Sequence, residues 1–71
     1  MTDYAAVFEK TSTGWSAYCP DLPGLGVAGS THEATEQLLR EGIAFHIEGM
    51  IADGDPIPKA TTHIARTPIS G

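Results

Sequence analysis

Residues 30–53 constrain the fold more than any other part of the chain, because they have the pattern of one long amphipathic helix. The stretch opens on Ser30-Thr31-His32-Glu33, which has the form of a capping box closed by the Ser30 hydroxyl and the Glu33 carboxylate. Gly54 and then Pro56 end it. The predicted apolar arc consists of Ala34, Leu38, Leu39, Gly42, Ile43, Phe45, His46, Gly49 and Met50. The rest of the chain must supply the surface that covers this arc.

Gly42 and Gly49 lie two turns apart in the apolar arc. A glycine inside a helix costs about 1 kcal/mol relative to alanine. We therefore expect a compensating close approach of the helix backbone to the surface beneath, for which Ala6 and Ala17 are candidates.

Residues 4–10, with aromatic and β-branched side chains at alternating positions, are predicted to form a strand. Residues 15–19 are predicted to return as a second strand, which gives a hairpin across the turn at 11–14. The more apolar face, expected to take the helix, carries Tyr4, Ala6, Phe8, Trp15, Ala17 and Cys19. The other face carries Ala5, Val7, Glu9, Ser16 and Tyr18. The hairpin therefore has one face for the core and one face that remains open.

The remaining segments complete the predicted architecture. Residues 20–24 form a rigid loop, because two prolines lack an amide donor; residues 26–29 form a third strand, and residues 61–66 a last one. The fold class is α+β in the order β-β-β-α-β, an antiparallel sheet with one long helix on one face. A single domain spans residues 1–71, with a core from about 3 to 66 and a frayed end at 67–71.

Composition excludes several classes of function. The net charge is −5 and the four basic residues are scattered, so direct binding of DNA or RNA is not expected. No apolar run is long enough to cross a bilayer. There is no secretory leader and only one cysteine, Cys19, which together indicate the cytoplasm.

The motifs that could carry chemistry are weak. Residues 24–29 match G-x-G-x-x-G, but a dinucleotide site needs a strand before the first glycine, where this chain has Pro20 and Pro23. His32, His46 and His63 have no metal-ligand spacing. Cys19 is expected to be a buried small side chain, with a His–Cys nucleophile pair as a minor alternative. The acids are dispersed, so we expect no catalytic residues, no metal and no cofactor.

The open face of the sheet is the feature that points to a partner. Because one helix covers one side only, Ala5, Val7 and Tyr18 are candidates for self-association. Small domains often cover such a face by oligomerising, and we expect a homodimer or a dimer of dimers.

Three segments together resemble the HicB-type antitoxin family: residues 18–24 with P-D-L-P-G, residues 29–34 with G-S-T-H-E-A, and residues 39–49 followed by G-D-P-I-P at 54–58. The resemblance implies a partial ribonuclease-H-like core and a non-enzymatic antitoxin that occludes a small basic RNA-cleaving toxin, HicA. Many members also carry a C-terminal DNA-binding module, for which residues 61–71 are too few. The sequence therefore predicts a HicB-like core without that module.

The predicted function is thus an antitoxin-like binding module of a type II toxin–antitoxin system. Asp21 and Leu22, in the proline loop, are the candidates for the surface that meets the toxin. Two alternatives remain: a degenerate or metal-dependent ribonuclease-H-like nuclease, and an orphan oligomeric binding domain.

Overall fold

A computed structural model describes residues 3–63 as a small sheet followed by one long helix. The elements are β1 (Val7–Lys10), β2 (Trp15–Tyr18), β3 (Gly26–Gly29) and α1 (His32–Asp53). The strands are antiparallel and lie in the order β1-β2-β3. The α+β class and the order β-β-β-α are confirmed. Of the predicted last strand, residues 61–63 have no regular secondary structure, and the remainder lies outside the described residues, as does the segment 67–71.

The strand register confirms the two predicted faces of the hairpin. Phe8 pairs with Ala17, and Ala17 pairs with Val27, which places one apolar row across the sheet. This row faces α1, since all three residues belong to the same apolar cluster as Leu39 and Ile43 of the helix. Side chains alternate along a strand, so the neighbouring row, which contains Val7 and Tyr18, lies on the opposite face.

The core lies between α1 and this apolar row. Its buried apolar members are Ala17, Cys19, Leu22 and Leu39. Partly buried side chains surround them: Tyr4, Ala6, Phe8, Leu25, Val27 and Ile43. The predicted helix-facing side of the hairpin is therefore confirmed, and the loop after β2 adds Leu22 to it.

The N-terminal cap of α1 differs from the prediction by one residue. Thr31 is the cap, and its hydroxyl accepts a hydrogen bond from the Ala34 amide at 3.0 Å. The capping box at Ser30 was therefore wrong, because the third helical position is Ala34, which has no carboxylate to return the bond. At the other end Gly54 adopts a left-handed conformation with φ 74°, so the predicted stop is confirmed.

The apolar arc of α1 is rotated relative to the helical-wheel prediction. Thr35 and Leu39 are buried, whereas Leu38 is 42% exposed and Phe45 is 78% exposed. Ala34 and Gly49 are exposed as well. The physical reason is the width of the sheet: three short strands cover only part of an arc of about 180°. Leu38 and Phe45 are therefore left beside the sheet, and their predicted burial was wrong.

The two helix glycines behave differently. A Cβ on Gly42 would lie 2.9 Å from Cδ1 of Leu25, the residue just before β3, and 3.9 Å from Val27 Cγ1 in β3. The helix therefore does have a close approach at Gly42, to Leu25 and not to the predicted alanines. A Cβ on Gly49 would meet no atom within 4 Å, so the prediction of a close approach was wrong at that position. A closer approach lies at Gly29, where a Cβ would be 2.6 Å from Thr35 Oγ1.

Candidate interaction surfaces

The side chains that could carry chemistry are dispersed. Within residues 3–63 no three His, Cys, Asp or Glu side chains come together in a way that could hold a metal ion. The His32 ring stacks on Phe8 with 4.3 Å between the ring centroids and meets the edge of Trp15 at 5.0 Å.

In the G-x-G-x-x-G segment, loop residues precede Gly24, so the strand that dinucleotide binding needs is not there.

Cys19 is a core side chain. It is 2% exposed, and burial raises the pKa of its thiol, with the negative charge of Asp21 acting in the same direction. A nucleophilic cysteine needs the opposite, because the thiolate is the reactive form. The environment of Cys19 therefore favours the structural role.

The open face of the sheet carries the predicted self-association residues. Val7 lies directly across from Tyr18 in the register of β1 and β2. Tyr18 is 43% exposed, while Val7 and Ala5 are partly exposed. Because α1 packs on the other side, Val7 and Tyr18 lie on the face that the helix leaves uncovered. Ala5 precedes β1, and alternation along the chain from Val7 assigns it to the same apolar patch. This placement agrees with the expected position of the patch, and self-association itself remains a prediction.

Asp21 holds the segment that follows α1. Its Oδ2 accepts hydrogen bonds from the Thr61 and Thr62 amides at 3.1 and 3.0 Å, and its Oδ1 accepts from the two hydroxyls at 3.0 and 2.9 Å. The bond from the Thr62 amide is the main cause of a lowered pKa for this carboxyl group, and the other three act in the same sense. No pattern in the sequence predicts this contact, because forty residues separate Asp21 from Thr61 along the chain.

Leu22, the other candidate for the toxin surface, is 0% exposed. Its side chain fills the core beside Cys19 and Leu39. In the isolated chain Leu22 therefore contributes packing, and Asp21 contributes a tether between two loops. Both side chains thus already have partners within the molecule. Their role in toxin binding stays a prediction.

A groove runs between β1 and the N-terminal half of α1, with a volume of about 550 Å³. Its floor is apolar and includes Ala6, Phe8 and Leu39. Charges of both signs border it, since Glu36 and Arg40 both line it and form an ion pair at 3.9 Å. The groove arises because α1 lies mainly over β2 and β3.

A second opening lies at the C-terminal end of α1, with a volume of about 310 Å³. We call it the α1 notch and define it by its lining residues: Phe45, His46, Gly49, Met50, Asp53 and Asp55. Two of these, Phe45 and Gly49, were predicted to be part of the core and are exposed instead. The His46 Nε2 atom is buried and has no hydrogen-bond partner among the described residues.

The helix is not a membrane span. Across the part of the chain that the structure describes, no helical stretch is both long enough and apolar enough to cross a bilayer.

Comparison with known proteins identifies the family. A family model described as the HicB-like antitoxin of bacterial toxin–antitoxin systems matches residues 4–68, which is most of the chain. No solved protein structure gives a significant match.

Two relatives show how the chain compares in length. It is 39% identical over 57 residues to an uncharacterized 14.9 kDa protein from the rep-hol intergenic region of Haemophilus phage HP1, covering 80% of this chain and 43% of that protein. It is 38% identical over 58 residues to a UPF0150 protein of Synechocystis, covering 80% of this chain and 73% of that protein. The chain thus spans less than half of the phage relative and most of the cyanobacterial one. With three antiparallel strands, one long helix and a family match from residue 4 to residue 68, the chain belongs to the HicB-like antitoxin family.

Proposed function

We propose that the chain is the antitoxin of a type II toxin–antitoxin pair and neutralises a small basic, RNA-cleaving HicA-type toxin by binding and occluding it in the cytoplasm. The observation that carries this proposal is the match of the HicB-like antitoxin model over residues 4–68. The net charge of −5 supports it, because an acidic surface attracts a basic partner and raises the rate of encounter.

A co-expression experiment tests the proposal. The protein encoded by the reading frame adjacent to that of this chain is expressed in bacteria with and without the chain, and growth and RNA integrity are measured. We expect growth arrest and RNA cleavage with the toxin alone, and recovery of both when the chain is present. An unrelated small domain of the same net charge is the control for non-specific attraction.

Recovery by the control domain as well would show that charge alone suffices, and the occlusion mechanism would be rejected. A neighbouring protein that is harmless, together with no binding to the chain, would favour the alternative of an orphan oligomeric binding domain.

The proposed role is non-enzymatic. The family supports this, and the described acids do not gather into the carboxylate cluster that metal-dependent nucleases require. We expect the purified chain to leave RNA and DNA intact in the presence of magnesium or manganese. Cleavage that Glu9→Gln or Asp21→Asn abolishes would instead support the ribonuclease-H-like alternative.

We also propose that the chain self-associates through Ala5, Val7 and Tyr18, as a dimer or a dimer of dimers. The support is that this apolar patch lies on the face opposite α1. Val7→Lys places a charge in the proposed interface, whereas Ser12→Lys adds the same charge at an exposed position in the β1–β2 turn. Light scattering should give a smaller mass for Val7→Lys only. A monomeric wild type, or an unchanged mass for Val7→Lys, excludes the patch as the interface.

A further inference from the structure

One side of the α1 notch is formed by three residues that follow one another along a ridge of the helix. Phe45, Gly49 and Asp53 are spaced four residues apart, so they follow one another on the same side of α1. Phe45 is 78% exposed, and a Cβ on Gly49 would have no atom within 4 Å. The ridge therefore presents an aromatic ring, then a gap where the backbone is bare, then a carboxylate.

The other lining residues also divide the notch into an apolar part and an acidic end. Met50 lies beside Gly49 on the inner side and is partly buried. Asp55, just past the helix, lines the same opening as Asp53. A side chain that entered between Phe45 and Met50 would thus reach two carboxylates at its tip.

The acidic end of the notch is not neutralised within the described part of the chain. The C-terminus of a helix carries a partial negative charge, and α1 has no basic residue in its last turn. The basic side chains within residues 3–63 are Lys10, Arg40 and Lys59. Arg40 pairs with Glu36 and Lys10 lies over the Trp15 ring. Lys59, four residues after Asp55, neither lines the notch nor forms an ion pair with its carboxylates. No ion pair reaches Asp53 or Asp55 among residues 3–63. The helix end and the two carboxylates therefore act together to attract an external cation.

We propose that the α1 notch receives a lysine or arginine side chain of a basic protein partner. The methylene stem would lie between Phe45 and the bare backbone at Gly49, and the cationic head would lie near Asp53 and Asp55, in the way long basic side chains divide between apolar and polar surroundings. This inference rests on the proposed function and locates the surface at which its basic partner binds.

The alternative positions fit a basic partner less well. Asp21 already accepts four hydrogen bonds from Thr61 and Thr62. The groove beside β1 is bordered by Arg40 as well as by acids, so its charge does not select a cation. A second copy of this chain would bring another net charge of −5 to an already acidic end. Charge complementarity therefore favours a basic partner at the notch.

Amide NMR spectra of the full chain test the location. The probe is an end-capped helical peptide of leucine and lysine, and the control is the same peptide with glutamate in place of lysine. We expect the lysine peptide to shift the signals of Phe45, Gly49 and Asp53, the glutamate peptide to leave them unchanged, and added salt to weaken the effect.

Three changes in the chain test the construction of the notch. Gly49→Leu fills the gap and should abolish binding of the lysine peptide. Ala44→Leu is the matched control, since Ala44 is exposed and is turned about 140° from Gly49 around the helix. Replacing Asp53 and Asp55 together by asparagine should weaken binding about 5-fold, as expected for exposed charges. Phe45→Ala should weaken it about 10-fold if the ring is an anchor.

The outcomes separate the notch from the proposed function. Shifts confined to Val7 and Tyr18, no shifts at all, equal shifts with the glutamate peptide, or wild-type binding by Gly49→Leu would each overturn the inference.

In the co-expression experiment, neutralisation by both wild type and Gly49→Leu would reject the notch and leave the antitoxin function standing. Neutralisation by wild type and Ala44→Leu, and not by Gly49→Leu, would support both. If the chain neutralises no toxin but the lysine peptide still binds at the notch, the proposed function fails and the notch remains.

Discussion

Gly42 and Gly49 form a matched pair that measures how closely α1 lies on the sheet. Both are interior positions of the same helix, so replacing either by alanine should gain about 1 kcal/mol of helix propensity. At Gly49 the new methyl group meets nothing, and the full gain should appear. In a domain of this size it corresponds to a rise of about 4–8 °C in the melting temperature.

At Gly42 the new methyl group has to be accommodated. Its position is 2.9 Å from Leu25 Cδ1, well inside the usual carbon–carbon contact of about 3.5–4.0 Å. Leu25 must move, and the cost of this movement should cancel most of the gain in helix propensity. Gly42→Ala should therefore leave the free energy of unfolding within about 0.5 kcal/mol of wild type. The cost is smaller than the about 1–3 kcal/mol typical of overpacking, because a methyl group is the smallest side chain that can be added. Gly42→Leu introduces a whole side chain and should destabilise by about 1–3 kcal/mol.

Thermal and urea unfolding, followed by circular dichroism at one fixed chain concentration, provide the measurement. A double-mutant cycle identifies the cause, since Leu25→Ala removes the contact and should restore the full gain of Gly42→Ala. If the two alanine variants gain equally, or if Gly42→Leu raises the melting temperature, then α1 does not pack closely against Leu25 at Gly42 and this packing is refuted.

Three further predictions concern the cap, the tether and the cysteine. Thr31→Ala should destabilise by about 1 kcal/mol in urea unfolding through loss of the helix cap, whereas Ser30→Ala should have almost no effect. The Asp21 carboxylate has a lowered pKa in the folded chain, so its tether to residues 61–62 is fully present above the ordinary pKa of 3.8 and is lost as the pH falls through the lower folded pKa. The amide NMR signals of residues 61–62 should report this loss, and in Asp21→Asn these signals should not change with pH. The Cys19 thiol should react with a disulfide reagent only when the chain unfolds, because burial raises its pKa and blocks access.

Local patterns in the sequence determined the elements of the fold. The helix was predicted over 30–53 and is observed at His32–Asp53, because the polar cap, the 3.6-residue period and the Gly54 stop are properties of the segment itself. The alternation of β1 and β2 likewise predicted which side chains face the helix. The resemblance to HicB-type antitoxins, which rests on contiguous motifs, is confirmed by the family match.

Contacts between distant segments were decided only by the tertiary structure. The bonds from Thr61 and Thr62 to Asp21 join two loops whose proximity depends on how the helix crosses the sheet. The burial of Leu22 depends on the same arrangement, since an apolar loop residue has no periodic pattern to predict it.

The rotation of α1 about its axis is the clearest case. Hydrophobicity alone placed Ala34, Phe45 and Gly49 toward the sheet. In the structure β3 lies against the first turn of α1, and Thr35 packs directly on Gly29, where a Cβ would be 2.6 Å from Thr35 Oγ1. Thr35 is fully buried at no polar cost, because its hydroxyl donates to the Thr31 carbonyl oxygen at 2.7 Å. A helical period determines which residues share a face, but the width of the sheet and its nearest backbone contact decide which face is covered, and here they left Phe45 and Gly49 exposed.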